Sequence, residues 1–439
     1  MSEINVAAPA REASLWSTVR ESIAGSHRGE YTDGPIGRAI LLLAIPMVLE
    51  LVLESVFAVV DVFFVSRLGA DAVATVGLTE SILTIVYALA IGLSVGAIGL
   101  IASRSARRLL TIMGATPDVL AHSSYAAVVL GFNGVIVMLF LINAVFRGAG
   151  DAAIAMRVLW IANAINICLD PCFIFGLGPF PRLGVTGAAV ATTTGRGVGV
   201  LVQLFFLSRG DGRIVIRRKH LGLDLPVMLN MLRLSGSAVG QTLIATTSWV
   251  GVVRILASFG SVAVAGCTIA IRIVMFVLLP SWGLSNAAAT LVGQNLGAGK
   301  PERAEASVWR ACLYNSVVLG VISLVFIVWA EGVVAQFTSE PAVSAIAARG
   351  LRIISGGFVF YASGYVLSQS FNGAGDTVTP TLINLFCFWL GEVPLAYLLA
   401  RPLGLGPPGV FWAIAIAFSV MTLVSAWLFR RGSWKLKRV

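Results

Sequence analysis

The stretch IPMVLELVLESVFAVVDVFFVSRLG, residues 45–69, decides the fold class, because it is long and apolar enough to cross a bilayer yet carries three acids. At about 100° per residue, Glu54 lies about 40° from Glu50, and Asp61 lies about 20° from it. The three acids therefore share one helical face, and ionisable residues within a membrane usually face a water-filled cavity or a charged partner. Pro46 removes a backbone hydrogen bond near the start of this helix and predicts a hinge. A static, salt-bridged stripe is the alternative.

The rest of the chain has the same apolar character. Of its 439 residues, 57% are hydrophobic and 12% are charged, whereas a soluble domain carries about 25% charged residues. This composition excludes a soluble enzyme, a disordered chain and a fibrous protein, and the long unbroken runs exclude a barrel of alternating strands. We predict an all-α, polytopic membrane protein with eleven clear spans, at residues 39–66, 73–102, 119–145, 158–178, 184–208, 229–258, 261–293, 308–330, 350–371, 380–400 and 409–429.

The net charge of +10 indicates membrane topology rather than nucleic-acid binding, because Lys and Arg collect in cytoplasmic loops. We predict a basic cytoplasmic linker at residues 209–228 and a basic cytoplasmic tail at residues 430–439. Residues 1–38 contain no apolar segment of the kind that a signal peptide needs, and we interpret them as a cytoplasmic tail. Within this tail four apolar residues share one helical face and predict a short interfacial helix, with a frayed polar tail as the alternative: Leu15, Trp16, Val19 and Ile23.

Internal repeats divide the chain into two halves, residues 39–208 and 229–429. GADAVATVGLTESI at Gly69 resembles GSVAVAGCTIAIRI at Gly260, with an offset of 191 residues. FRGAGD at Phe146 resembles FNGAGD at Phe371, with an offset of 225 residues. Two repeated helical units of this kind are typical of secondary transporters.

The offset increases by 34 residues between these repeats, which matches one helix and its connection. The second half fills the interval with an apolar span at residues 308–330, whereas the first half has only SRSARRLLTIMGATPDVLAHSS. Its apolar stretch LLTIM is too short to cross about 30 Å of hydrocarbon. We therefore predict five spans in the first half and six in the second.

A further group of polar residues lies in NAINICLDPCFIFGLG, residues 163–178. Asn166 and Asp170 share one helical face, and Pro171 leaves the carbonyl of Ile167 without its helical partner. Carboxylate, amide and carbonyl oxygens suit a small cation or a proton. In the next span, GVTGAAVATTTGRG offers threonine hydroxyls and places an arginine deep in the membrane; we expect this Arg196 to pair with one of the acids.

The second half has one clearly deep acid, Glu392, two residues before Pro394, which predicts a broken helix. Three aromatic neighbours are candidates to line a cavity beside it: Phe388, Trp389 and Tyr397. Cys168 and Cys172 have helical spacing, but we interpret all five cysteines as packing residues and predict no metal site.

Together these motifs resemble the multidrug and toxic compound extrusion (MATE) family over nearly the whole chain. The resemblance implies a plan of twelve helices in two lobes and drug export coupled to H⁺ or Na⁺ entry, with no cofactor besides the coupling ion. Carried over by motif, the ion site of the N-terminal lobe corresponds to Asp61, Asn166, Asp170 and Thr192. The second cation site of some family branches is represented here by Gln241 alone, without an acid.

We therefore expect a secondary active antiporter of the inner, plasma membrane that works by alternating access, not an enzyme. Small, cationic or amphipathic organic compounds are the expected substrates, with Glu50, Glu54 and Glu392 as substrate candidates, and a monomer is the expected state. A lipid-linked precursor flippase of the same superfamily and a non-transporting variant lacking one helix are alternatives. An intramembrane hydrolase using Asp61 and Asp170 is disfavoured by the two-fold repeat and by the absence of a deep histidine.

Overall fold

The computed structural model describes residues 14–25, 31–69, 71–72, 75–76, 79, 103–112, 116–209, 213–214, 216–217, 222, 224–338 and 340–436. Its secondary structure over these ranges is helical, with no strand. The helices of the first half are α1 (Leu15–Ala24), α2 (Ile36–Ser66), α3 (Ala106–Ile112), α4 (Pro117–Ala121), α5 (Ser123–Gly131), α6 (Asn133–Ala149), α7 (Ala152–Phe175) and α8 (Val185–Arg209).

The second half contains longer helices. They are α9 (Leu225–Ala257), α10 (Ser261–Gly297), α11 (Pro301–Val334), α12 (Pro341–Gly356), α13 (Phe358–Gly373), α14 (Val378–Asn384), α15 (Val393–Ala400) and α16 (Pro407–Arg430). A π-helical segment, Leu385–Glu392, joins α14 to α15, and a short 3₁₀ turn, Ser433–Leu436, follows α16. Trp434 of that turn is buried and stacks on Phe429, so the chain packs back onto the helix bundle beyond its last span.

The number of spans agrees with a polytopic membrane protein. Among the described residues, eight helices are long and apolar enough to cross a membrane, and there are ten spans if each of two bent pairs counts as one. The pairs are α5–α6, bent by 47°, and α12–α13, bent by 56°. The all-α, membrane-spanning fold is thus confirmed, while the span predicted at residues 73–102 lies almost wholly outside the described residues.

The interval between the repeats contains only short helices where the structure describes it. α3 has seven residues and therefore a length of about 10 Å, and α4 has five residues. Neither could cross about 30 Å of hydrocarbon. That the first half lacks one whole helix stays a prediction, since residues 113–115 lie outside the described ranges.

The two GAGD turns have matching geometry. Gly150 and Gly375 both adopt the positive φ that favours glycine, at 89° and 75°. The backbone N–H of Asp151 donates to the carbonyl of Phe146 at 2.8 Å, and that of Asp376 donates to Phe371 at 2.9 Å. Equivalent turns of this kind agree with the internal repeat found in the sequence.

Helix α15 corrects one expectation about prolines. The segment around Pro394 is not a broken helix. Its irregularity lies upstream, in the π-helix Leu385–Glu392. Pro394 falls in the first turn of α15, where a missing N–H disturbs a helix least, and the wider π turn before it accommodates the ring. α7 continues through Pro171, which is compatible with the expected loss of the hydrogen bond to the Ile167 carbonyl.

The segment that precedes α2 joins the two halves at the end of the molecule where α10 ends, because Tyr31 of this segment also donates to the Gly150 carbonyl of the first half. The Arg303 guanidinium donates to the carbonyls of Tyr31, Asp33 and Gly34 at 2.9–3.2 Å, and the Lys300 ammonium donates to the Asp33 carboxylate at 2.7 Å. We call these residues (Tyr31, Asp33, Gly34, Lys300 and Arg303) the inter-half latch. The Lys300 ammonium holds the pKa of Asp33 below its usual range, so this contact persists at neutral pH and is lost only as the pH falls through that lowered pKa.

Candidate functional site

Helix α2 packs against α7 of the first half and α10 of the second. Glu50 and Asp61 are buried, and Glu54 is half-buried. The structure therefore turns the stripe expected from the sequence toward the interior of the first half. Its three carboxylates have different surroundings, and these surroundings define what each one can do.

Glu50 forms an ion pair with Arg147, which lies near the C-terminal end of α6. The Arg147 Nη1 donates to Glu50 Oε1 at 2.6 Å, and Asn143 donates to the same oxygen at 3.3 Å. Gln203 of α8 extends the network by donating to Asn143 Oδ1 at 2.7 Å. This carboxylate is thus neutralised by the protein itself, and its role as a substrate candidate stays a prediction.

Glu54 is paired with the deep arginine of α8. Arg196 Nη2 and Nη1 donate to the two carboxylate oxygens at 2.6 and 3.4 Å, and Asn163 adds a bond at 3.1 Å. The guanidinium also lies 5.0 Å from the ring centroid of Phe57 and 5.4 Å from that of Phe140. Two aromatic faces and a bidentate carboxylate compensate the burial of a cation. Glu54 therefore has a resident partner, as Glu50 does.

Asp170 has no such partner among the described residues. It is fully buried in α7, and neither of its carboxylate oxygens accepts a hydrogen bond from the described part of the chain. Asp61 lies close enough for the two charges to interact. A buried carboxylate without a donor is costly, and a proton or a small cation would remove that cost.

The other two predicted ion-site residues form a pair beside Asp170. Asn166 lies one turn earlier on α7 and donates from its Nδ2 to the Thr192 hydroxyl of α8 at 2.9 Å. The Asn166 amide oxygen is itself buried without a donor among the described residues. An amide oxygen, a hydroxyl and carboxylate oxygens on adjoining helices are the donor types that a hard cation prefers.

The second half contains a separate cavity of about 570 Å³. Glu392 is the only charged side chain in its described lining, and no described residue donates a hydrogen bond to it. On the wall, Tyr365 stacks with both Trp282 and Tyr361, and the ring centroids are 5.8 Å apart in each pair. Trp282 Nε1 also donates to the Tyr361 hydroxyl at 2.7 Å, which fixes the stack.

Only one of the three aromatic residues expected beside Glu392 lines this cavity. Phe388 does so, whereas Trp389 and Tyr397 are 40% and 57% exposed on the outside of the bundle. Gln241 lies at the polar end of the cavity and donates to the Asn372 side chain at 3.1 Å.

Comparison with known proteins identifies the family. The MatE family model matches residues 46–107 and 238–398, which together make up half of the chain.

The chain belongs to the MatE family. The resemblance seen in the sequence is thereby confirmed, and the chain is a membrane transporter rather than an enzyme.

Two relatives of this MatE chain align with almost its full length, and a third aligns with most of it. It is 25% identical to the probable multidrug resistance protein YoeA of Bacillus subtilis, covering 92% of this chain and 95% of that protein. It is 26% identical to the probable multidrug resistance protein NorM of Thermotoga maritima, covering 92% and 94%. The FAD transporter of Shewanella oneidensis is 27% identical over 71% of this chain and 76% of its own.

Solved structures have the same fold. A crystal structure of MATE in the straight conformation matches with a TM-score of 0.85 and 25% identity, over 94% of this chain and 100% of that chain. MATE in the bent conformation matches with a TM-score of 0.83 and 24% identity, over 95% and 98%. The two-lobed helical architecture of MATE transporters is therefore the architecture of this chain.

Several polar residues of the MatE chain form buried or part-buried hydrogen bonds that the sequence did not predict. Tyr31 donates to the Gly150 carbonyl at 3.0 Å, and the Arg213 backbone N–H donates to Asp151 at 2.7 Å. Asn143 and Gln203 extend the Glu50 network, as described above. The available signal was an amide side chain within an otherwise apolar run, which predicts a buried hydrogen bond but not its partner.

A glycine of α8 controls how closely the ion-site helices approach, and it gives a first prediction. A Cβ on Gly195 would lie 2.5 Å from the Ala162 carbonyl oxygen and 3.3 Å from the Asn166 Cβ. Gly195→Ala should therefore separate α7 from α8 and lower the free energy of unfolding by roughly 1–3 kcal/mol. Gly197→Ala is the matched control, because its Cβ would meet only Val135, at 4.0 Å. Equal melting temperatures for the two purified variants would contradict the prediction.

Proposed function

We propose that this chain is a secondary active multidrug efflux antiporter that exchanges H⁺ or Na⁺ for organic compounds by alternating access. The observation that carries the proposal is the buried Asp170 carboxylate, without a donor among the described residues and close to Asp61. The two other acids of the α2 stripe already have arginine partners. The coupling ion would then bind at Asp61, Asn166, Asp170 and Thr192, where it would compensate the Asp170 carboxylate.

The cavity of the second half is suited to an organic cation. Its stacked aromatic rings offer apolar area and π faces, and Glu392 supplies a single negative charge. A volume of about 570 Å³ is within the range of pockets that hold drug-sized molecules. Relatives named as probable multidrug resistance proteins support small organic compounds as substrates, and Glu392 favours cationic, amphipathic ones among them.

Alternating access would require the two halves to separate at one end and close at the other. In the described conformation the inter-half latch joins them where α2 begins. Close to Pro46, the backbone of Val48 approaches α10 so tightly that a Cβ on Gly283 would lie 2.8 Å from its nitrogen. Bending of α2 at Pro46 would therefore change the contact between the halves, and this would couple the hinge to their separation.

The same arrangement supports a location and an orientation. The latch end carries Arg213, Lys300 and Arg303, and basic loops face the cytoplasm. We propose a monomer of the inner, plasma membrane, with both termini in the cytoplasm and the latch closing the cytoplasmic side. No cofactor besides the coupling ion is needed.

Two alternatives make different demands on the molecule. A flippase for lipid-linked precursors needs basic groups for pyrophosphate, whereas the only charge in the described lining of the cavity is acidic. A non-transporting variant is suggested by the short helices α3 and α4. Against it stands the assembled pairing of Asn166 with Thr192 beside Asp170.

Transport in proteoliposomes tests the proposal. The full chain is reconstituted, and the initial rate of uptake of a fluorescent lipophilic cation is measured under an imposed pH gradient, an imposed Na⁺ gradient, or neither. We expect one of the two gradients to drive transport, and an uncoupler to abolish the rate if the ion is H⁺. Transport that is equally fast without a gradient, or absent with both, would refute ion-driven antiport.

A substitution in the cavity separates the substrate site from the ion site. Glu392→Gln removes the single charge of the described lining while keeping its shape, so export of cations should fall several-fold relative to neutral amphipathic compounds. Dependence on the ion gradient should be retained. Glu340→Gln is a control, because Glu340 is exposed and outside the cavity. Loss of ion dependence with an unchanged substrate range would reverse the two assignments.

A further inference from the structure

Helix α1 has three sectors with different chemistry. Thr18 and Ser22 are buried against the protein, each 3% exposed. Leu15 and Trp16 are 74% and 76% exposed, and Val19 and Ile23 continue this apolar sector along the helix. Ser17, Arg20 and Ala24 are also exposed and form the third sector, between the apolar side and the protein. At about 100° per residue the apolar sector spans about 100°.

Two contacts fix α1 to the bundle. The Arg38 guanidinium, in the first turn of α2, donates to the Glu21 carboxylate at 2.6 Å. Arg157, near the start of α7, donates to the carbonyl of Ile23 at 2.8 Å. A Cβ on Gly25, directly after the helix, would lie 3.0 Å from Ala153 Cβ.

These contacts define the level of α1 relative to the membrane. Both α2 and α7 have the length and hydropathy of spans, and α1 touches each of them at its N-terminal end. The ends of spans lie at the boundary between hydrocarbon and headgroups. A helix held there, with one apolar side exposed, meets lipid rather than bulk water.

We propose that α1 lies in the headgroup layer of the bilayer as a surface anchor for α2 and α7. Leu15, Trp16 and Ile23 insert toward the acyl chains, and Arg20 points toward lipid phosphates. Trp prefers this interfacial depth, and an arginine beside an apolar sector is typical of helices lying on membranes. The occupant of the apolar face is thus the lipid surface itself, which the neighbouring spans bring to the same level.

The anchor also has a mechanical meaning. Helix α2, which carries Asp61, is bound to α1 by an ion pair. Helix α7, which carries Asp170, is bound to α1 by a hydrogen bond. The proposal does not depend on transport, because it concerns only where α1 lies.

Spin-label accessibility tests the position of α1. The full chain, with Cys168 and Cys172 replaced by Ser, is placed in phospholipid nanodiscs; the other three cysteines are buried and leave a background that is measured on this parent. A nitroxide is attached at Leu15→Cys or, as the matched control on the opposite side of the same turn, at Ser17→Cys. Collision rates with oxygen, which concentrates in lipid, and with a water-soluble nickel chelate are compared.

The expected result is a label at position 15 that collides several-fold more with oxygen than with the chelate, and the reverse at position 17. Both labels accessible to the chelate would overturn the proposal, because α1 would then lie in water. Both labels protected from both reagents would also overturn it, because a protein surface would then cover the helix. Since both positions are exposed, the labels replace side chains that make no buried contact, and size-exclusion chromatography of each variant checks the fold.

Discussion

Replacing Asp170 with Asn is expected to abolish ion-driven transport while the protein remains folded. Asn keeps the size of the side chain but cannot take up a proton or carry the charge that binds Na⁺. Because Asp170 has no donor among the described residues, its neutral analogue leaves no other group unpaired. We expect the gradient-dependent initial rate to fall at least about tenfold. Asp61→Asn should have a similar effect, since Asp61 is its neighbouring charge.

Asp118→Asn is the matched control for this pair of variants. Asp118 lies in α4 and is exposed, so its removal should leave the rate unchanged. The melting temperature of each purified variant separates loss of coupling from loss of folding. A folded Asp170→Asn variant that still transports under a gradient at the parental rate would remove the N-terminal ion site from the proposal.

Replacing Glu54 with Gln is expected to have the largest effect on stability. Arg196 has a side chain only 5% exposed, and Glu54 is its sole described carboxylate partner. Without that charge the buried guanidinium is compensated only by the rings of Phe57 and Phe140, and the loss costs up to about 3–5 kcal/mol. The midpoint of chemical or thermal unfolding in detergent should fall accordingly. The double variant Glu54→Gln with Arg196→Met should recover most of the loss, because it removes the stranded charge as well.

Glu331→Gln provides the comparison at an exposed site. Glu331 pairs with Arg352, and both side chains are substantially solvent-exposed. Exposed ion pairs contribute little to stability, so this variant should unfold almost as the parent does. If Glu54→Gln were as stable as Glu331→Gln, the Glu54–Arg196 pair would contribute no more to stability than an exposed ion pair does, which would contradict the prediction.

The sequence predicted the features that depend on local periodicity. Spacing along one helix was enough to place Glu50, Glu54 and Asp61 on one face, because helical geometry alone determines that relation. Apolar length was enough to place most spans, because the thickness of the hydrocarbon sets it. The repeat of FRGAGD and FNGAGD was visible as letters, and its equal turns follow from the glycine φ angles.

Relations between distant segments were harder to predict. The ion pair of Glu50 with Arg147 joins residues 97 positions apart, and no local pattern selects this arginine over others. The π-helix before Pro394 also escaped, because the proline indicates an irregularity without fixing on which side it forms. Which sector of α1 faces the protein depends on tertiary contacts with Arg38 and Arg157.

The latch between the halves has a consequence for how the two partners tolerate mutation. Arg303 donates to the main-chain carbonyls of Tyr31, Asp33 and Gly34 and not to their side chains. Every amino acid presents such a carbonyl, so sequence drift in residues 31–34 leaves those three acceptors in place as long as the turn is kept. Arg303 has no comparable freedom, because Lys lacks the planar fork that reaches three oxygens at once. A saturation screen should accordingly find Asp33 more permissive than Arg303, whereas Tyr31 and Gly34 are constrained separately, by the bond to the Gly150 carbonyl and by a φ of 72°.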